Sequence, residues 1–406
     1  MRSIFPILRV PATLVALLLT ALAAVPQAWT CTTAVIAGSA TADGRPLLWK
    51  NRDAGNKLNQ VVYVTDGRYP FVGLVNGGDA APFEVWAGIN AAGFAIMNAA
   101  SYNLDREETL AEGQMMRIAL AGCATVADFQ ALLERTGPGG RDVNANFGVI
   151  DARGGAAFFE TGVKGFTRFD AGDPSAAPNG VLVRTNYSVS GDTNNGGGFL
   201  RLRRASALLD DLAARKSLTA RTLLAEVARD VANPHISSLP ATGAAAPFAY
   251  TADSICRYDT ASVSLFAGAR SGEDPLLATA WFIVGQPITG AAVPVWVRSA
   301  AVPAEIAVAA GSSPMTAACD AVRTLFYPET RGELKKFVRT EAFGKGADAP
   351  LPRLLALEAA TFRRVEDALA RWSGAAPSAA EVAALQAELA KATLDAVRSA
   401  APRPQR

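Results

Sequence analysis

The stretch that decides the fold is "CTTAVIAGSATADGRPLLWKNRD", Cys31 to Asp53. Its first part alternates β-branched and small apolar residues and reads as a strand. Asp43-Gly44 is a hairpin signal, and "PLLWK" returns as the partner strand. A hairpin of this length brings Lys50–Asp53 back beside Cys31. A thiol, two cations and a carboxylate are thereby expected at one end of a two-stranded unit.

Ahead of Cys31 stands a leader. Arg2 and Arg9 are its positive region, and "VPATLVALLLTALAAV" is its apolar run. That run is shorter than the roughly 20 residues a membrane-spanning helix needs. Residues 1–30 therefore read as a secretory signal, the mature chain as exported, and no stable membrane insertion is expected after processing. "ALA" at 21–23 offers one cleavage point. "AWT" at 28–30 would release Cys31 directly. A retained anchor or a lipidated Cys31 are the alternatives.

Downstream, "QVVYVTD", "PFVGLVN", "FEVWAGIN" and "AAGFAIMNAAS" read as strands. Met115–Glu134 reads as helical, with "TVAD" at 125–128 as an N-cap. "NFGVIDARGGAAFFETG" is a hairpin in which Asp151 and Glu160 read as structural acids. Amphipathic helices are expected over 200–214 and 219–231, and strands resume at "ICRYDTASVSLFAG", "ATAWFIVG" and "VPVWV". Strands, helices, then strands again indicate an α+β fold of antiparallel sheets layered with helices, not a parallel βαβ sheet. After about Tyr327 the chain turns Ala-rich and helical, in "RGELKKFVRTEAF", "PRLLALEAATFRRVEDALARW" and "AAEVAALQAELAKATLDAVRSA". The expected divisions are 1–30, a main domain 31–327, and a helical C-terminal extension 328–406 packed on it.

Hydrophobic residues make up 50% and charged ones 19%, which marks a globular chain. A net charge of +2 gives no electrostatic case for nucleic acid. Four cysteines are too few for a disulfide scaffold; Cys256–Cys319 is the pair expected if a bridge forms. One histidine and no CxxC or CxxH spacing argue against zinc, and no cofactor is expected.

A cysteine acts as a nucleophile through its thiolate. Were Cys31 the first residue, its own α-amine, with an ordinary pKa of about 7.7–8, could serve as base. Asp53 would hold that amine. Lys50 or Arg52 would favour the thiolate. Asn98 and Asn186, at strand ends, are candidate donors to an oxyanion. Arg201, heading a helix, could orient Cys31 or an acidic group. His235, in "NPHISSLP", is the base of the competing papain-like reading.

These residues carry a resemblance. "CTTAVIAGSATADGRPLLWKNRD" resembles the start of the choloylglycine hydrolase and penicillin V acylase group, and of the related acyl-coenzyme A:6-aminopenicillanic acid acyltransferase-like (C45) proteins. All are Ntn hydrolases. The resemblance implies an αββα sandwich, a nucleophilic Cys31 freed by processing, and chemistry at linear, non-peptide C–N amide bonds. "KNRD" matches the segment in which the bile-salt enzymes carry Arg where Lys50 stands, and Asp53 matches their amine-binding Asp. "GINAAGFAIMNAAS" resembles the segment bearing an oxyanion or substrate-side Asn, here Asn98. "VRTNYS" places Asn186 on the oxyanion-hole strand. "GGGFLRLRRA" gives Arg201, with Arg204 as rival. The short stretch between Asn186 and Arg201 is nearer the acyltransferase-like group. The resemblance covers about 31–300.

The expected partner is a small N-acyl amide, and self-association is left open. Three functions compete: an N-terminal-cysteine amidohydrolase or acyltransferase, a noncatalytic binding protein of the same fold, and a Cys31–His235 peptidase.

Overall fold

The computed structural model describes residues 30–78, 84–104, 111–233, 247–307, 311–344 and 349–402. The leader ahead of Thr30, and His235, lie outside the described residues. The opening hairpin forms as its sequence requires. β1 (Thr32–Ile36) pairs antiparallel with β2 (Leu47–Asp53), setting Thr33 against Lys50 and Thr32 against Asn51.

That hairpin is the middle of a six-stranded antiparallel sheet. Its other strands are β10 (Val181–Arg184), β12 (Thr260–Ala267), β13 (Thr279–Ile283) and β14 (Val293–Val295), in the order β10-β1-β2-β12-β13-β14. A second, seven-stranded sheet runs in chain order. It comprises β3 (Asn59–Val64), β4 (Phe71–Asn76), β5 (Ala87–Asn90), β6 (Ala95–Ala100), β7 (Ala145–Ile150), β8 (Ala156–Thr161) and β9 (Phe166–Asp170). A small pair, β11 (Phe248–Tyr250) with β15 (Phe337–Arg339), stands apart.

Alternation along the strands builds the layers. Val35, Leu48, Phe266 and Phe282 of the first sheet pack on Met97, Ile150 and Phe158 of the second. Their neighbours point outward. Ile36, Leu47, Trp49 and Leu265 meet Leu209 and Leu212 of α3 (Phe199–Ala214). Phe71, Ile96, Phe147 and Phe159 meet Met116 of α1 (Glu112–Gly122) and Phe129 of α2 (Val126–Thr136). The result is the expected four-layer αββα sandwich. Thr125 caps α2 in a capping box with Asp128, as its spacing indicated.

The C-terminal helices α5 (Pro350–Trp372) and α6 (Ala379–Ala400) continue the outer helix layer. Phe362 stacks on Trp281, with ring centroids 3.9 Å apart, and Trp372 meets Trp296 edge-on. Buried Glu358 takes both Arg229 guanidinium nitrogens at 2.9 and 2.8 Å and the Ala292 N–H at 2.8 Å. Isolating either charge there would cost about 3–5 kcal/mol.

Three expectations are corrected. "RGELKKFVRTEAF" is not a helix but two tight 3₁₀ turns around β15. The segment is short for an independent helix, Gly332 adopts a positive φ of 53°, and Phe337–Arg339 pairs with β11 instead. A helix the sequence reading lacked, α4 (Pro314–Phe326), starts ahead of Tyr327 under a Ser313 cap. The Cys256–Cys319 bridge is absent: all four cysteines are free and buried. Cys319 packs against the bare backbone of Gly285 and Gly290.

Candidate active site

Strand parity sets the site. Cys31 falls on the same side of its strand as Thr33 and Val35, the side that faces the second sheet. Lys50 and Arg52 share that side of β2; Asn51 and Asp53 take the other. The whole of β2 is buried, so its last four side chains are polar groups inside a hydrophobic sandwich. Such groups persist only with partners.

On the inner side, the Lys50 ammonium donates to Asn98 Oδ1 at 2.7 Å and to the Trp86 carbonyl at 2.9 Å. Both acceptors are neutral. Burial lowers Lys50 to about 8, and the neighbouring Cys31 thiol pulls the other way. Arg52 donates to Asn59 Oδ1 and Asn76 Oδ1 at 2.9 and 2.8 Å and lies 4.8 Å from the Trp86 ring centre. With its oxygen taken by Lys50, the Asn98 amide nitrogen makes no hydrogen bond to the described residues.

On the outer side, two arginines grip the backbone around Cys31. Arg201 Nη1 donates to the Cys31 carbonyl at 2.5 Å and to Thr32 Oγ1 at 2.9 Å; its Nη2 donates to Asn186 Oδ1 at 3.1 Å. Arg257 Nη2 donates to the Thr30 carbonyl at 3.0 Å, and its Nε to Asp53 Oδ2 at 2.7 Å. Thr260 Oγ1 holds the other Asp53 oxygen at 2.6 Å. The Thr30 hydroxyl sits 3.5 Å from Asp53 Oδ2. The carbonyl of the Thr30–Cys31 peptide bond and that of Cys31 itself are thus fixed by guanidinium groups, with a carboxylate beside them. Burial lowers Arg201 to about 10, with Arg257 the next cause, so it stays cationic at neutral pH.

"GGGFLRLRRA" explains how Arg201 gets there. Gly198 adopts φ 83°, and a Cβ on it would lie 2.3 Å from Arg201 Nη2. Only glycine lets the guanidinium pass back over its own helix start. Arg204, the rival, pairs instead with Asp230 at 2.6 Å. Asn186 forms a bridge with Gly197 and donates to the Ala100 carbonyl at 2.9 Å, which ties it to the end of β6.

The structure therefore gathers Cys31, Lys50, Asp53, Asn98, Asn186 and Arg201 at one end of the sandwich. Asp151 and Glu160 stand outside this group: Asp151 accepts the Val126 N–H at the start of α2, and Glu160 pairs with Arg184. Sequence reading missed Arg257 and Thr260, which lie more than 200 positions from Asp53. "CRYDT" carries no local signal that would have marked Arg257. The other thiols are poor nucleophiles: burial pushes Cys123 and Cys319 up to about 12 and raises Cys256 as well. Among the described residues no group of three His, Cys, Asp or Glu could hold a metal, and no helix is long and apolar enough to cross a membrane.

Two antiparallel sheets face to face between helix layers, with a cysteine just ahead of a central strand, define the αββα class expected from the sequence. The model of the acyl-coenzyme A:6-aminopenicillanic acid acyl-transferase family matches residues 40–209, which bears out the resemblance. That stretch contains Lys50, Asp53, Asn98, Asn186 and Arg201 and leaves out Cys31 and Arg257. No curated protein sequence matches the chain. Solved structures similar to it include the R18L variant of conjugated bile acid hydrolase from Clostridium perfringens, at 11% identity over 66% of this chain and 92% of that one, TM-score 0.42. An N-acylethanolamine-hydrolyzing acid amidase ortholog of Caenorhabditis elegans follows at 16% identity, 58% and 92% coverage and TM-score 0.39. Penicillin V acylase from Agrobacterium tumefaciens gives 12%, 66% and 86%, and 0.36. At these scores the likeness adds nothing to what the sheets establish.

Proposed function

We propose that the chain is exported, loses residues 1–30, and works as an N-terminal-cysteine amidase or acyltransferase on small N-acyl amides. The observation that carries this reading is the grip on the Thr30–Cys31 junction, with Asp53 within reach of residue 30. Removal of Thr30 leaves a free α-amine beside that carboxylate. Cys31 passes its thiol proton to its own α-amine, and the sulfur attacks the substrate's carbonyl carbon. The Lys50 ammonium, bonded on two sides, has a third proton to offer the thiolate or the oxyanion, and the Asn98 and Asn186 amides are the neutral donors. The C–N bond breaks, the amine leaves with the proton held by the Cys31 ammonium, and a thioester remains. Water hydrolyses it, or a second amine takes the acyl group.

The name of the matching family, an acyl-transferase, supports acyl transfer as a variant of the same chemistry. The test is an acid quench of the mature protein during turnover of an N-acyl amide panel, followed by intact mass and peptide mapping. The expected result is one acyl group on Cys31. Turnover that persists undiminished in Cys31→Ser would contradict the reading.

A further inference from the structure

A second group of cations gathers around Tyr258, in the turn ahead of β12. Lys57 comes from the turn between β2 and β3, Arg323 from α4, and Lys335 from the 3₁₀ turn ahead of β15. The Lys57 ammonium lies 3.8 Å from the centre of the Tyr258 ring, the Arg323 guanidinium carbon 4.3 Å and the Lys335 ammonium 5.4 Å. Lys57 Nζ donates to the Tyr258 carbonyl at 2.7 Å, and Arg323 Nη2 donates to the same oxygen. Among the described residues these are the only acceptors the two side chains have, and the Lys335 side chain has none.

Buried arginine elsewhere in the molecule closes on a carboxylate, as Arg229 does on Glu358, Arg184 on Glu160 and Arg45 on Glu273. Around Tyr258 this does not happen. Asp259 and Asp320 face the group and act on Lys57, but among the described residues no carboxylate forms an ion pair with Lys57, Arg323 or Lys335. Neighbouring Lys336 is already paired with Glu333 at 2.9 Å. Like charges this close repel, and more strongly as water is excluded. The face of the Tyr258 ring offsets part of that cost. Burial, with Arg323 as the next cause, lowers Lys57 to about 7. Holding one carbonyl needs one donor; here two cations share it and a third stands by with no bond. All four residues are half-buried, so a small ligand can reach them.

Two ammonium groups and a guanidinium fork can each donate to a separate oxygen of a tetrahedral oxyanion. A cavity of about 300 Å³, lined by Tyr250, Asp253, Arg257, Tyr258, Asp259 and Lys336, adjoins the ring. Its aspartates can accept from hydroxyl groups, so the anion can arrive alone or as the ester of a small polyol. We propose that Lys57, Arg323 and Lys335 form a binding site for a phosphate or sulfate group, separate from the Cys31 site. The proposal does not rest on the amidase reading.

The test is calorimetry of the full-length protein at low ionic strength with sulfate, which keeps both charges from pH 6 to pH 8. One sulfate should bind per chain. Lys335→Gln should weaken it roughly fivefold and Arg323→Gln at least about tenfold, whereas Lys50→Met should leave it within about twofold. The Lys335 side chain holds no other group, so Lys335→Gln should keep its melting temperature, and it decides the matter if Arg323→Gln does not fold. Lys57, faced by Arg323, Lys335, Asp259 and Asp320, is mostly charged at pH 6 and about a tenth charged at pH 8. Sulfate affinity should therefore fall roughly tenfold between them, and Lys57→Arg should abolish the fall. Glycerol 3-phosphate that binds tighter than inorganic phosphate at pH 7 would identify a small ester as the source; equal or weaker binding would identify the free ion. Three results would overturn the site: no binding of sulfate or phosphate, binding that ignores Lys335→Gln and Arg323→Gln, or binding lost in Lys50→Met alone.

Discussion

Buried arginine is held in different ways in two regions of this molecule. At the C-terminal helices, Arg229 is closed off: Glu358 takes two of its nitrogens, and the Leu224, Pro287 and Gly290 carbonyls take the remaining bonds. Charge and donors are both matched, and nothing is left to offer a ligand. At the Cys31 end, Lys50 and Arg52 meet amide and carbonyl oxygens, and Arg201 and Arg257 hold the backbone carbonyls of Cys31 and Thr30. Arg257 pairs with the Asp53 carboxylate at 2.7 Å. The first arrangement is a clamp. The second is a set of positive groups aimed at a place where negative charge can develop. The same residue type meets a fully matched carboxylate in one region and chiefly neutral oxygens in the other.

Substitutions that move function in one region and stability in the other would sharpen that contrast. The largest effect is expected at the nucleophile. Cys31→Ser should lower kcat/KM by about 10³-fold or more with the melting temperature unchanged. Asp53→Asn should lower kcat by roughly 10²–10⁴-fold, the range for losing a group that sets a proton-transfer step, and kcat should fall more than KM rises. In the clamp, Glu358→Ala should cost about 3–5 kcal/mol in urea unfolding, since it strands Arg229. The protein that remains folded should keep its kcat. A drop in kcat as large as that of Asp53→Asn would erase the distinction between the regions.

The smallest effect is one of pH. Lys50 is charged below its lowered pKa of about 8 and loses its proton as pH rises through it. Rate that depends on this cation is therefore full below pH 8 and falls above it. By pH 9 only about a tenth of Lys50 is charged, so activity should drop about tenfold. Lys50→Arg should retain its charge and remove that limb from the pH–rate profile. A profile unchanged by the substitution would place Lys50 with the structural charges.

Much of this was legible in the chain. The Cys31–Asp53 hairpin, its parity and the Thr125 cap are local, and local patterns survive folding. Lys50 and Asp53, Asn98, Asn186 and Arg201 were readable because they sit in four short motifs. Arg257 and Thr260 were not, because their roles exist only through pairing of β12 with β2 across the fold. "RGELKKFVRTEAF" misled because helix-forming composition loses to a strand partner when the segment is short.

The most direct test of the account is the N-terminal sequence and intact mass of the active protein. The account predicts that the active form begins at Cys31, with a free amine beside Asp53. An active form that retains Thr30 or anything before it would have no such amine, and the mechanism proposed here would be wrong.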